Sequence, residues 1–324
     1  HTPGGRMQAL IGEWEQPGGW RIDHPSHTYI ETCDTGWAWS IPISATARHL
    51  GAMVDGATSA LDRGRDITAT YRAQIARTPR LETQVRGARL VHAFACDASV
   101  YDAVAYGGPR FLLVGDAGST LNPLSSFGVK KALASAWLAA VVAHTRLREP
   151  SLGDVALDFY NQWEAQVWHV NLRTTRDFAR EALTRHATPF WRAQAEAPVD
   201  EARIAPGDHE RLAAPAVRQA FDRLRASTRI RFTPVPDAIT TSPIVRGHAL
   251  VVEEAVRLGD GPHDRVRYVR GVDLAGLARL SATAADVPGL FERYNAVHAA
   301  VGLADFLGAL SLLVARGVVV MDGA

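Results

Sequence analysis

The sequence predicts a mixed α/β chain, α+β over the stretch at hand, on three observations. Short apolar segments separated by Gly, Pro and Asp turn signals fill roughly the first hundred residues. Long segments with near-helical apolar spacing follow Pro123. Between them an apolar run ends on Gly115-Asp116, at a small-residue loop that leads into a helix.

Taken in order, residues 7–13, 28–34, 36–43 and 48–54 read as strands of an antiparallel sheet, broken by Pro17-Gly18-Gly19 and Asp34-Thr35-Gly36. Residues 66–77 predict a short helix, and 90–96 and 111–115 predict buried strands. Helices follow over 129–148 and 152–186, where Phe159, Trp163, Val167, Val170 and Thr174 recur at helical spacing until Ala187-Thr188-Pro189. The segment 193–238 is rich in Ala, Pro and charge, holds a helix over 214–226, and closes on the turn signal Thr233-Pro-Val-Pro-Asp. These shifts divide the chain into a first domain at 1–150, a helical region at 151–235 and a C-terminal module at 236–324. The module carries strands at 249–256, 266–270 and 317–321 and helices at 274–281, 290–301 and 304–316, an order that is winged-helix-like. Leu303, Phe306, Leu307, Leu310 and Leu313 make one apolar stripe, which is packing. No helix there presents a basic face, which argues against nucleic-acid binding.

Composition narrows the function classes. The 324 residues carry 35 Lys plus Arg against 34 Asp plus Glu, so no overall field draws the chain to nucleic acid or an anionic membrane. Uncharged stretches such as 132–145 fall short of the ~20 apolar residues that cross a bilayer. Cys33 and Cys96 form no Cys-x-x-Cys, so neither a disulfide framework nor a thiolate metal site is expected, and a reducing, cytoplasmic address fits. His24 and His27 have no carboxylate or thiol cluster beside them, so no metal is expected. The only lysines are Lys130 and Lys131, leaving almost no candidates for chemistry that needs a buried lysine. His1-Thr-Pro-Gly-Gly shows no initiator Met and no signal-peptide pattern, and reads as a start partway through a protein.

The chemistry-bearing stretch runs from Phe111 to Ala132. An apolar strand ends at Gly115, presents the Asp116 carboxylate, passes a small-residue loop and enters a helix near Gly128. Such a junction is either an ordinary strand-to-helix turn, with Ser125 or Ser126 as N-cap, or a seat for a polar ligand. In the second case Asp116 accepts hydrogen bonds from sugar-type hydroxyls, and the free N–H groups and dipole of the helix attract an anion. In a strand, Trp37 and Trp39 project to one face, as core or as the wall of a ligand site.

Gly115-Asp116, Pro123 and Gly128 resemble the second flavin-binding motif of class A flavoprotein monooxygenases. Trp37-Ala38-Trp39-Ser40-Ile41-Pro42 resembles the WxWxIP signature of flavin-dependent halogenases, and Thr188-Pro189-Phe190-Trp191-Arg192 a segment of tryptophan-halogenase-like proteins. The resemblance implies part of a glutathione-reductase-like FAD-binding fold. Gly115, Asp116, Pro123, Ser125, Gly128 and Val129 would hold FAD, and the Phe127 and Gly128 N–H groups would hold halide. Trp37, Trp39, Ile41 and Pro42 would wall a tunnel. It further implies reduced FAD from a separate flavin reductase, oxygen, chloride or bromide, and a small aromatic substrate, free or carrier-tethered, that meets hypohalous acid at the tunnel's end.

Three departures qualify the resemblance. The Gly-x-Gly-x-x-Gly fingerprint is absent from the chain. The family's catalytic lysine is expected upstream of His1, and a chain without either is expected to be inactive on its own. Ser125 stands where tryptophan halogenases place a catalytic Glu, and Asn122 replaces a frequent acidic residue, which favours a phenolic, pyrrolic or carrier-tethered substrate over tryptophan. The rival readings are an FAD monooxygenase or reductase of the same fold, and a non-catalytic binding module.

Overall fold

The computed structural model describes residues 2–3, 6–56, 66–227, 230–261 and 263–322, so His1, Gly4 and Gly5 of the unusual start lie outside the described residues. Two compact units emerge, His1–Trp137 with Trp163–Val199 and Leu138–Gln162 with Asp200–Ala324.

The first unit opens on β1 (Thr2–Pro3), β2 (Met7–Glu15), β3 (Tyr29–Cys33), β4 (Gly36–Pro42) and β5 (Ala47–Asp55). Then come α1 (Ile67–Ile75), α2 (Pro79–Gln84) and β6 (Arg89–Asp97). Five of these strands form an antiparallel sheet in the order β3-β4-β5-β2-β6. Alternation along β2 explains its two covered faces. Leu10 and Trp14 join Leu50, Tyr71, Ile75 and Leu81 on the α1/α2 side, while Met7 and Ala9 join Trp37, Met53 and Trp191 on the other. Arg48 is fully buried beneath the first cluster's edge. It donates to Ser40 Oγ at 2.8 Å and to the Pro25 and His27 carbonyls, pinning the 21–28 loop, and burial lowers its pKa. His24 and His27 stack at 4.8 Å, and no group of three metal-ligating side chains exists among the described residues.

Short strands follow: β7 (Tyr101–Asp102), β8 (Gly107–Gly108), β9 (Phe111–Leu112) and β10 (Ser119–Thr120). Two long helices, α3 (Gly128–Arg148) and α4 (Gly153–Leu183), precede α5 (Pro189–Ala195). In the second unit α6 (Asp208–Ala213), α7 (Pro215–Ala226) and β11 (Arg231–Pro234) lead to a hairpin of β12 (Ile239–Arg246) and β13 (Ala249–Arg257), turned at Gly247 with φ +57°. After β14 (Arg265–Val266), β15 (Tyr268–Val269) and β16 (Val272–Asp273) come α8 (Leu274–Ser281), α9 (Val287–Val297), α10 (Leu303–Ala315) and β17 (Val319–Asp322), which pairs with β11. Leu277, Leu290, Phe306 and Leu310 sit at the centre of its core.

Several expectations are corrected. The 90–96 segment is, among the described residues, an edge strand paired to β2 alone, so Val91 and Phe94 are exposed rather than buried. The expected 111–115 strand shrinks to Phe111–Leu112, because among the described residues it pairs with the Gly107–Gly108 pair alone and Gly115 turns away at φ +58°. The helix expected over 152–186 ends at Leu183, where Thr184 and Arg185 close tighter turns onto Glu181 and Ala182. The helix expected over 290–301 starts at Val287, where the Asp286 carboxylate accepts the Gly289 N–H. The expected 266–270 strand is split by Arg267, whose guanidinium reaches Glu253 and Asp273. Gly317, at φ +68°, delays the last strand to Val319.

Candidate functional site

The α3 helix builds the site from one of its faces. Lys131, Ser135, Leu138, Val142 and Thr145 recur every three or four residues and are all buried, whereas Lys130, on the next face, is exposed with its ammonium over the Phe127 ring at 4.9 Å. The two neighbouring lysines therefore have opposite environments. Lys131 donates from Nζ to the Gly115 carbonyl at 2.7 Å and to the Ser119 carbonyl, closing the loop that Asp116 tips. Ser135, one turn on, accepts the Gly115 N–H at 3.2 Å and donates to the Glu164 carboxylate of α4. Burial lowers the Lys131 pKa, and Glu164, Asp116 and Asp102 raise it in turn. Burial pushes the Glu164 carboxyl up, opposed by Ser135 and by Lys131.

The turn itself is open to solvent. Asp116 is exposed, with its backbone carbonyl accepting the Tyr101 hydroxyl. Gly115 occupies the left-handed region, and a Cβ there would meet Ala132 Cβ at 3.1 Å. Asn122 Oδ1 accepts the Leu124 N–H, so Pro123 starts a short 3₁₀ turn ending at Ser126 with φ 54°. Neither serine caps α3, contrary to expectation. The Ser125 hydroxyl donates back to the Asn122 carbonyl at 2.9 Å, and the left-handed Ser126 backbone ends the 3₁₀ turn by donating its N–H to the Pro123 carbonyl. The Phe127 and Gly128 N–H groups meet no acceptor among the described residues, and open space surrounds the Gly128 Cα. Phe127 and Val129 are both exposed.

The tryptophan pair lies on one sheet face with ring centroids 5.1 Å apart. Trp37 is buried opposite Met53, and Trp39 lies over Gly51, where any Cβ would collide with its ring. Ile41 is exposed and Pro42 half-buried at the strand's end. Trp191 donates from Nε1 to the Cys33 carbonyl at 2.7 Å and meets Phe190 edge-on. Trp37, Asn122, Leu124, Phe190 and Trp191 surround one void of about 10 Å³, so the three sequence motifs converge in a single packing core. The Cys33 thiol lies beside Thr35, and His92 stacks on Phe94.

Between α3 and α4 lies a second cavity of about 300 Å³, bounded by Phe127, Lys131, Trp163, Glu164, Val167 and Asn171 among others. Lys131, Ser135 and Glu164 were missed by sequence reasoning. The i, i+4, i+7 recurrence that places Lys131 on the buried face of α3 was the available signal.

The tryptophan halogenase family profile matches residues 9–207. The flavin-dependent halogenase gsfI of Penicillium aethiopicum is 32% identical over 141 residues, covering 41% of this chain and 25% of that protein. The flavin-dependent halogenase rdc2 of Metacordyceps chlamydosporia is 33% identical over 146 residues, again covering 41% and 25%. The chain thus spans about a quarter of the length of these curated relatives. Among solved structures, the flavin-dependent halogenase CmlS aligns over 98% of this chain and 64% of its own, with TM-score 0.69 and 19% identity. The peptidyl tryptophan dihydroxylase QhpG aligns over 98% and 65%, with TM-score 0.64 and 21% identity. At those identities the likeness is one of fold. A profile that accounts for more than half of the chain, and contains all three motifs packed around one void, makes this polypeptide a member of the tryptophan halogenase family.

Proposed function

We propose that this polypeptide serves flavin-dependent halogenation of a small electron-rich aromatic, phenolic or pyrrolic in character and free or carrier-tethered. It would use oxygen, chloride or bromide, and reduced FAD from a separate reductase. The observation that carries the reading is the open turn between Gly115 and Gly128. It offers an exposed carboxylate at Asp116 and N–H groups that meet no acceptor among the described residues at the start of a 21-residue helix, which suits a hydroxylated chain and an anion. The residues present fit the cofactor on that ground.

Asp116 would accept hydrogen bonds from the cofactor's hydroxyls. Gly115, Pro123, Ser125, Gly128 and Val129 would shape its seat, and the Phe127 and Gly128 N–H groups would hold the halide, with no side chain at Gly128 in the way. When bound, the flavin supplies the oxygen activation that makes the halide electrophilic. Lys131 and Ser135 keep the Gly115 peptide fixed while this happens, and Trp37 and Trp39 would form an apolar wall on the substrate side, with Ile41 and Pro42 at its solvent end. Incubating the complete gene product with reduced FAD, oxygen, bromide and a panel of phenols and pyrroles tests the reading. A brominated product by mass spectrometry is expected. A hydroxylated product would replace halogenation with monooxygenation on the same fold.

A further inference from the structure

We infer that the cavity between α3 and α4 binds a neutral one- or two-ring aromatic molecule whose O–H or N–H group is received by Glu164. The cavity is about 300 Å³, at the lower end of small-molecule sites, and its walls are largely apolar: Leu121, Phe127, Val167, Val170 and half-exposed Trp163. Glu164, only 1% exposed, lines it with an Oε2 that has no hydrogen-bond partner among the described residues, although the Ser135 hydroxyl bonds its carboxylate.

Three other polar lining groups are already committed. The Ser125 hydroxyl donates to the Asn122 carbonyl, the Thr174 hydroxyl to the Val170 carbonyl, and Asn171 Oδ1 accepts the Asn122 N–H. A buried carboxylate oxygen without a donor is costly, so the cavity selects an occupant that brings one. Charge sets the rest. An anion would face Glu164 and a cation would face Lys130 and Lys131, leaving a neutral ring with a donor at its edge. The inference rests on the halogenation reading only for the role of this molecule as the substrate.

Titration calorimetry of the complete gene product with 2-naphthol and its methyl ether, without flavin or halide, tests it. The naphthol is expected to bind about tenfold or more tightly than the ether, the loss that follows when a buried charged acceptor is left unpaired. Ala134→Trp, which fills the cavity from an exposed position, is expected to abolish binding, and Glu164→Leu to erase the discrimination. Equal affinities on the unaltered protein, no binding of the naphthol, or binding that survives Ala134→Trp would each overturn the inference. Since no flavin enters, a protein that binds naphthol here but brominates nothing loses the halogenation reading alone. One that brominates phenols yet fails this titration loses the inference alone.

Discussion

Lys131 and Ser135, one turn apart on α3, hold the two polar groups of a single residue: Lys131 donates to the Gly115 carbonyl at 2.7 Å, and Ser135 accepts the Gly115 N–H at 3.2 Å. A buried ammonium is expensive to maintain, and here it is retained by two backbone carbonyls and a nearby carboxylate. The consequence is a rigid root for the Asp116 turn.

Lys131→Met removes the ammonium's bonds to both carbonyls; the Gly115 carbonyl keeps the Gly118 N–H at 3.1 Å, while the Ser119 carbonyl loses its Lys131 donor, worth about 1–3 kcal/mol when buried. Urea unfolding is expected to show a loss of roughly 1–3 kcal/mol. A loss no larger than that of Lys130→Met, whose ammonium is exposed, would show that the clamp carries no stability.

Glu164 makes stability respond to pH in a set direction, and Glu164→Gln removes that response. Burial holds the Glu164 pKa above its ordinary 4.5, so the folded state binds this proton more tightly than the unfolded chain does. Its favourable contribution is full in acid and is lost as pH rises from that ordinary value upward. Wild type minus Glu164→Gln stability is therefore expected to fall between acid and neutral pH in parallel denaturation series; a flat or rising difference would contradict the assignment.

Gly51→Ala places a Cβ 2.0 Å from Trp39 Cζ2, so the indole must leave the sheet face. Overpacking of this kind costs about 1–3 kcal/mol, and tryptophan emission should shift as the ring moves into water. Gly18→Ala, with nothing within 4 Å of its added atom, serves as the control and is expected to stay within roughly 0.5 kcal/mol.

Gly128→Ala adds a methyl into open space at the start of a helix, so stability is expected to hold or rise by about 0.5–1 kcal/mol. Bromide is expected to bind more weakly if the adjacent N–H groups hold it, read by halide titration of the same protein. Unchanged bromide affinity would move the halide elsewhere.

What could be read from the sequence followed from local pattern. Alternation in β2, β4 and β5, the helical spacing of Trp163, Val167 and Thr174, and the Asp116-to-Gly128 turn are all encoded within a few residues. The rest depended on partners distant in the chain. Leu90, Val91 and Phe94 look like a buried strand until the sheet order puts β6 at an edge. Composition left almost no candidates for a buried lysine, yet the helical phase of Lys131 matches that of Ser135 and Leu138, and the approach of Gly115 and Ser119 supplies its acceptors. The Trp37, Leu124 and Trp191 contacts join segments far apart in sequence, which no local signal records.

The most direct test of the central claim is an FAD titration of Asp116→Ala against the unaltered complete gene product, with unfolding midpoints recorded alongside. Asp116 is exposed, so stability should not change. If this turn holds the flavin, the dissociation constant rises about tenfold or more. An FAD affinity equal to wild type would show that the cofactor, if there is one, is held elsewhere.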